Sequence, residues 1–553
     1  MERRVRWVAA AACAAAVTGA CGSDREPATL PGDAIRDVLL AVTDDSVVTL
    51  AGGDTFHVSA KTVAFYAGRD YSAAWVGRKG LLDRGRALHE TIGRSAEDGL
   101  PPEHYRHDVA ARLLAALDTK EKAERLPDSV AAQYLADVDL LLTEGFNRYA
   151  RDLVTGTLDP AESGIDWLIE TDSPAEHVVL NNVLMGRDPQ EIVAFLRPSI
   201  QYYERMRHAL AQYRAAAESG GWGQVPDGAT LKEGERGAHV AALRQRFISG
   251  TDRGEAELAA AGSADPTRFD PQLAQAVQRF QQRHSIEADG AVGAATLKEL
   301  NHTVEERIAE MKLNLDRWRW LPNDLGERFV VVNIAGFEME VVEQGRAIQT
   351  MNVVVGQLDR QTPVFADSIQ HIVVNPYWNV PDGIFEKDVR PAMDQDPAYL
   401  VNHNMEMVNG RVRQLPGPTN SLGKFKFLFP NEYDVYLHDT PQGHLFSRWR
   451  RDFSSGCIRL ERPEEFARLL LDKQTDSGSG QLDALLTHWN ERWIKLDRPL
   501  PVYLLYFTAW VEEDGTVRFH HDVYGRDEQL APQAEDRLEA PPEVGRTAAT
   551  RRG

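Results

Sequence analysis

Cysteine is scarce in this chain: it has three in 553 residues, and two of them, Cys13 and Cys21, fall within the first twenty-one positions. A disulfide framework is therefore excluded for the body of the protein, whose one thiol is Cys457. Basic charge is also short, with 62 Lys and Arg against 83 Asp and Glu and a formal net charge of -21. That balance argues against a nucleic-acid partner, whose phosphates demand cations, and solubility alone accounts for the acidity. Long apolar runs are missing beyond residue 20, where no segment reaches the ~18 residues of a membrane span. No His-x-x-x-His or His-x-His set accompanies His438, so neither a metal nor a cofactor is expected. What is present, 43% apolar and 26% charged residues, is a globular composition, and the length implies about three or four domains.

The N-terminus carries Arg3, Arg4 and Arg6, then small apolar residues from Trp7 to Ala20. Residues 1–21 read as an export signal, and Thr18-Gly19-Ala20-Cys21 marks Cys21 as a lipid-acylation site, with Thr18 standing where an aliphatic residue is usual. An exported, periplasmic protein anchored through a lipidated N-terminus is the expectation. An unpaired thiol in an oxidising compartment is a liability unless its reactivity is used, which makes Cys457 a candidate nucleophile.

Helical periodicity dominates residues 35–220. In 134–149, Leu135, Val138, Leu141, Leu142, Phe146 and Tyr149 recur at three- and four-residue steps, the stripe of a packed helix. Phe65, Tyr66, Trp75 and Tyr105 read as core aromatics rather than a ligand platform. After the joint Ser219-Gly220-Gly221-Trp222-Gly223, residues 230–302 form a compact unit with two amphipathic helices, 240–247 and 271–281, followed by Asp289-Gly290-Ala291-Val292-Gly293-Ala294-Ala295-Thr296. Beyond Trp320 the period changes. Short β-branched runs (329–334, 339–342, 350–356, 372–375, 434–438, 502–507) predict a strand-rich domain over 328–526, with one helix at 463–471. An aromatic insert punctuated by Pro and Gly, 376–422, separates two strands and is the candidate lid, and 527–553 has the composition of a disordered tail. The fold class expected is a multidomain α+β protein.

A cysteine attacks as thiolate and needs a base. His438, nineteen positions before Cys457, is available. Strand alternation places Tyr436 and His438 on one face, with Val435 and Leu437 on the other. The group orienting the imidazole stays open between Asp439 and a backbone carbonyl. In Phe453-Ser454-Ser455-Gly456-Cys457-Ile458-Arg459, the glycine allows a tight turn, and the Gly456 and Cys457 amides are oxyanion-hole candidates. Arg459 shares the face of Cys457 and suits a substrate carboxylate; Ser455, Tyr436 and Trp378 are further substrate-binding candidates.

The His-to-Ser-x-Gly-Cys arrangement resembles the catalytic signature of the L,D-transpeptidases, the YkuD-type cysteine enzymes of bacterial cell walls. Residues 375–381 (Asn-Pro-Tyr-Trp-Asn-Val-Pro), 416–423, 437–441 and 506–510 are similar to the large multidomain subfamily, as are Phe65-Tyr66, Trp75 and Gly99-Leu100-Pro101-Pro102 of its helical scaffold. Residues 230–302 resemble a small three-helix peptidoglycan-binding repeat. Ser455 departs from the commonest pattern, which has a histidine there. The resemblance implies attack of Cys457 on a peptidoglycan tetrapeptide stem, release of D-alanine, a thioester, and a 3→3 crosslink, with His438 moving the protons. It implies stem peptides as substrates, wall glycan or peptide held by residues 230–302, and other wall-synthesis proteins as a further partner class. The competing readings are a non-catalytic wall-binding scaffold, an L,D-carboxypeptidase with water as acceptor, and a zinc D,D-peptidase.

Overall fold

The computed structural model describes residues 30–42, 47–118, 127–169, 179–262, 264–472 and 480–539. Residues 1–29, with the expected export signal and Cys21, and the chain past 539 lie outside the described residues.

The β-branched runs after Trp320 close into a ring. Its strands are β1 (Arg328–Asn333), β2 (Glu338–Glu343), β3 (Arg346–Gly356), β4 (Phe365–Val374), β5 (Phe425–Leu428), β6 (Leu437–His438), β8 (Ile458–Leu460) and β9 (Arg492–Leu505), with β7 (Asp452–Ser454) appended to β3. The order is β3-β8-β6-β5-β4-β9-β1-β2, and β2 pairs back onto β3. Pairs β6–β8 and β9–β1 are parallel, and the remaining pairs around the ring are antiparallel. Phe427, Leu437, Ile458 and Ile372 fill the interior, each fully buried. Residues 329–333 are buried without alternation because their outer face is covered too. Helix Val304–Arg319 joins the same core through Trp318, which stacks on Phe507 (4.1 Å) and on Tyr202 (5.2 Å).

Helix Gln201–Glu218, expected within the helical domain, packs its buried Tyr202, Met206 and Leu210 into this same barrel core. The helical core proper spans 34–193 around the 28-residue helix Asp128–Thr155. There the buried Asp139 accepts from the Ala74, Trp75 and Val76 amides and the Tyr66 hydroxyl, which ties the aromatics Tyr66 and Trp75 into the core. Phe65 stacks on Trp75, and Tyr105 is buried.

The unit over 230–302 has its own core, with Phe247 and Phe280 in edge contact at 5.8 Å. It contains four helices, Ala238–Ile248, Arg253–Ala260, Pro271–Arg283 and Ala294–Leu300, one more than the three expected. The addition, Arg253–Ala260, starts at Asp252, whose side chain caps the Glu255 amide. The insert over 376–422, the candidate lid, has a separate small core of Val380, Val389 and Val412 and a three-stranded sheet built from Trp378–Asn379, Met405–Val408 and Arg411–Gln414.

The disordered tail expected over 527–553 is corrected for 527–539, and 540–553 lies outside the described residues. Arg526–Glu539 is a helix, anchored by fully buried Leu530 and by Asp527, which takes hydrogen bonds from Arg317 and Thr508. Its apolar stripe is thin, Leu530 with Ala531, Ala534 and Leu538 among charged residues, so tertiary partners add to what periodicity supplies.

Candidate active site

Register across four strands sets the site. Lys426 on β5 pairs with His438 on β6, which pairs with Arg459 on β8, which pairs with Val354 on β3. The neighbouring row, Phe427, Leu437 and Ile458, points into the core, so Lys426, His438 and Arg459 point out of the barrel. Two residues earlier on the same outward face stand Tyr436 and Cys457. The site therefore lies on the outside of the barrel wall, against the lid.

Cys457 follows Gly456, whose φ of +108° belongs to the region that only glycine adopts without strain. The turn is fixed from two sides: Thr362 Oγ1 donates to Gly456 O (2.8 Å) and Ser454 Oγ donates to Cys457 O (2.6 Å). The half-buried thiol donates to Asp434 O at 3.6 Å. Burial raises its pKa, while the Tyr436 amide, the Lys426 ammonium, the Tyr436 hydroxyl and Arg459 favour the thiolate. Tyr436 is itself held above the usual phenol range, first by burial, so it remains a donor to sulfur. Trp378, on strand Trp378–Asn379 of the insert, favours the ionised Tyr436 phenol against its burial, and Lys426 Nζ sits 3.8 Å from the centre of that ring.

His438 is buried, and its Nδ1 lies 2.5 Å from the Asp439 main-chain carbonyl. A carbonyl only accepts, so Nδ1 carries the hydrogen and Nε2 keeps its lone pair. This resolves the orienting group in favour of the backbone. The Asp439 carboxylate is turned away, accepting from the Lys424 amide (2.7 Å) and the Thr440 amide (2.6 Å). Gly423 permits that approach, since a Cβ there would stand 2.3 Å from the carboxylate. Burial, then Arg459 and Lys426, lower the His438 pKa to about 3, so the imidazole is neutral at physiological pH and is a base in waiting. His438 and Tyr436 meet edge to face at 5.6 Å.

One expectation is corrected. The Gly456 amide is already engaged by Ser454 Oγ (3.2 Å), whereas the Cys457 and Ser455 amides remain open donors of the turn among the described residues. Arg459 donates to Gln442 Oε1 (2.6 Å) on the cleft side, and Ser455 is exposed with its hydroxyl receiving Arg360 Nη1 (2.9 Å). Two residues were missed by sequence reasoning. Lys426 was readable, since Lys424-Phe425-Lys426-Phe427 alternates and sets both lysines opposite the core phenylalanines. Arg360 carries no local signal. Among the described residues no group of His, Cys, Asp and Glu has the arrangement of a metal site.

The thiol at its glycine turn and the carbonyl-oriented, neutral imidazole thus stand on one outward face of the barrel wall, Cys457 two residues before the Arg459 that pairs with His438. Residues 327–478 match the family model of the L,D-transpeptidase catalytic domain, residues 60–210 a scaffold domain, and residues 253–300 a family described as "Putative peptidoglycan binding domain". The chain thus carries a YkuD L,D-transpeptidase catalytic domain together with scaffold and peptidoglycan-binding domains. A curated relative from Haemophilus influenzae, named "Putative L,D-transpeptidase", is 32% identical over 256 residues, which is 42% of this chain and 50% of that protein. The chain therefore spans about half the length of the relative it matches. Among solved structures, an L,D-transpeptidase from Stackebrandtia nassauensis is 17% identical, with coverage of 51% of this chain and 96% of that one and a TM-score of 0.20. One from Mycobacterium smegmatis is 14% identical, with coverage of 32% and 58% and a TM-score of 0.18.

Proposed function

We propose that the protein is an L,D-transpeptidase that forms 3→3 crosslinks in peptidoglycan through a thioester on Cys457. The observation that carries this reading is the shared outward face of Cys457, Tyr436, His438 and Arg459, in a domain that matches the transpeptidase family. His438 Nε2 takes the thiol proton as sulfur attacks the carbonyl between diaminopimelate and D-alanine of a tetrapeptide stem. The Cys457 amide receives the developing oxyanion. The C–N bond then breaks, and the D-alanine amine leaves with the proton from His438. The side-chain amine of a second stem attacks the thioester, and its proton returns by His438 to the sulfur. No ATP is required, because the energy of the amide is kept in the thioester. Arg459 is the reader of a stem carboxylate, Tyr436 and Ser455 line the donor position, and the lid with Trp378 excludes water.

The same reading makes the protein exported and periplasmic, anchored by acylated Cys21, with residues 230–302 holding wall glycan or peptide and other wall-synthesis proteins as partners. Purified protein is incubated with disaccharide-tetrapeptide and followed by mass. The expected result is a Cys457 adduct, loss of D-alanine and crosslinked dimers. Folded protein that forms no adduct overturns the reading.

A further inference from the structure

Among the described residues, lid residues make four ion pairs. Three of them stay inside the lid, Arg390–Glu386, Arg411–Asp382 and Arg413–Glu406. The fourth leaves it: Asp388, in the Phe385–Val389 turn of the lid, meets Arg360 on the barrel at 2.8 Å.

Arg360 belongs to the loop that links β3 to β4, and this loop is clamped onto the turn bearing Cys457. The Gln357 amide donates to Ser454 O (3.0 Å), Thr362 Oγ1 donates to Gly456 O, and a Cβ on Gly356 would stand 2.2 Å from Arg360 O. The anchor end of the pair is thus rigid. The guanidinium forks the Asp388 carboxylate, Nη1 to Oδ2 and Nη2 to Oδ1 (3.3 Å), while Nη1 also reaches Ser455 Oγ, two residues before the nucleophile. Asp388 is half exposed, whereas Arg360 is mostly covered. Arg459, whose charge acts on Cys457, donates to the neutral side-chain amide of Gln442. Of these two guanidiniums near the nucleophile's turn, Arg360 is the one filled by a carboxylate of the insert over 376–422.

We propose that Arg360 is a second carboxylate-binding post of the cleft, occupied in the free protein by Asp388, so that a carboxylate of the acyl donor enters by exchange with Asp388 and unlatches the lid. The identity of that donor as a stem peptide rests on the function proposed above; the post itself does not. A bidentate guanidinium already set for one carboxylate accepts another without rearrangement. Both partners stay ionised at neutral pH, because their mutual hydrogen bond raises the Arg360 pKa and lowers that of Asp388, so the exchange is anion for anion and not a proton switch.

The test uses the full chain and two probes of nearly equal size, iodoacetate and iodoacetamide. In each the Cys457 thiolate displaces iodide, forming C–S as C–I breaks, and the rate is read on the peptide carrying Cys457. Asp388→Asn is expected to raise the iodoacetate-to-iodoacetamide rate ratio about two- to five-fold, the range of an exposed ion pair. In an Arg360→Gln background the same change is expected to give a gain at least about two-fold smaller, since only the loss of a nearby negative charge then remains. Equal gains in both backgrounds, with melting temperatures unchanged, overturn the proposal. Arg360→Lys, which keeps the charge but loses the fork, guards against misfolding of the glutamine variant and is expected to fall between the two. With disaccharide-tetrapeptide, Asp388→Asn is expected to lower KM. If the alkylation coupling holds and no tetrapeptide adduct forms, the post stands and the transpeptidase reading falls; an adduct without coupling gives the reverse.

Discussion

The barrel wall and the lid face each other across one thiol, and they are built on opposite terms. The wall is a hydrogen-bonded ring whose inward side chains Phe427, Leu437 and Ile458 are fully buried and whose outward row follows from register alone. The lid buries three valines and keeps its shape with surface ion pairs. Apolar area is the larger stabiliser, since a buried leucine is worth about 1.5–3 kcal/mol and an exposed ion pair about 0–1. The groups that need fixed geometry, Cys457, His438 and Tyr436, accordingly sit on the wall. The groups that must yield, Trp378 and Asp388, sit on the lid.

The difference can be broken most sharply at the base. His438→Gln, which keeps the fold but removes the lone pair offered to sulfur, is expected to lower the acylation rate about 10²- to 10⁴-fold while substrate affinity holds, checked by single-turnover mass measurement. Next comes packing. Leu437→Ala is expected to cost about 2–5 kcal/mol in chemical denaturation and to take activity with it, because it hollows the wall directly behind His438. Val412→Ala in the lid removes less apolar volume, roughly 1–2 kcal/mol, and is expected to change KM more than the unfolding midpoint of the barrel. pH probes the same base. His438 is held neutral down to about 3, and burial holds His520, which follows strand Val517–Phe519, and His284, at the end of helix Pro271–Arg283, well below the usual range. An unfolded chain binds protons at these sites below about 6.5 and the folded chain does not, so ∂ΔG/∂pH is positive. Stability is full above about pH 6.5 and is expected to fall as pH drops toward 3, by up to about 1.4 kcal/mol per unit from His438, with His520 and His284 acting in the same direction. Thermal melts between pH 7 and 4 measure it, and a variant with Gln at position 438 is expected to show a shallower fall.

Much of the wall was readable in the chain. The spacing from His438 to Cys457, the glycine before the thiol and the alternation of Lys424 to Phe427 are local patterns, and local patterns survive in one dimension. The closure of β2 onto β3 and the covered outer face of β1 were not readable, because they depend on partners far off in sequence. The same holds for Arg360: its three-way contact with Asp388 and Ser455 joins residues 28 and 95 positions apart. Helix Arg526–Glu539 was missed for the complementary reason. Its composition favours solvent, and its order comes from Leu530 and the Arg317–Asp527 pair as well as from its thin apolar stripe. The oxyanion-hole expectation failed in part because Ser454, which looked like a bystander of the motif, spends its hydroxyl on holding the turn.

Ring closure has one more consequence, for whatever peptide is bound. Many cleft proteins read a peptide by adopting it as an extra strand, matching main chain to main chain at an open sheet margin. Around this ring every strand already has a neighbour on both sides, and only the three-residue β7 lies outside it. A peptide placed over the ring would lie across the strands, on the protruding side chains, whereas strand addition is left to β7 and to the margins of the three-stranded sheet in the insert.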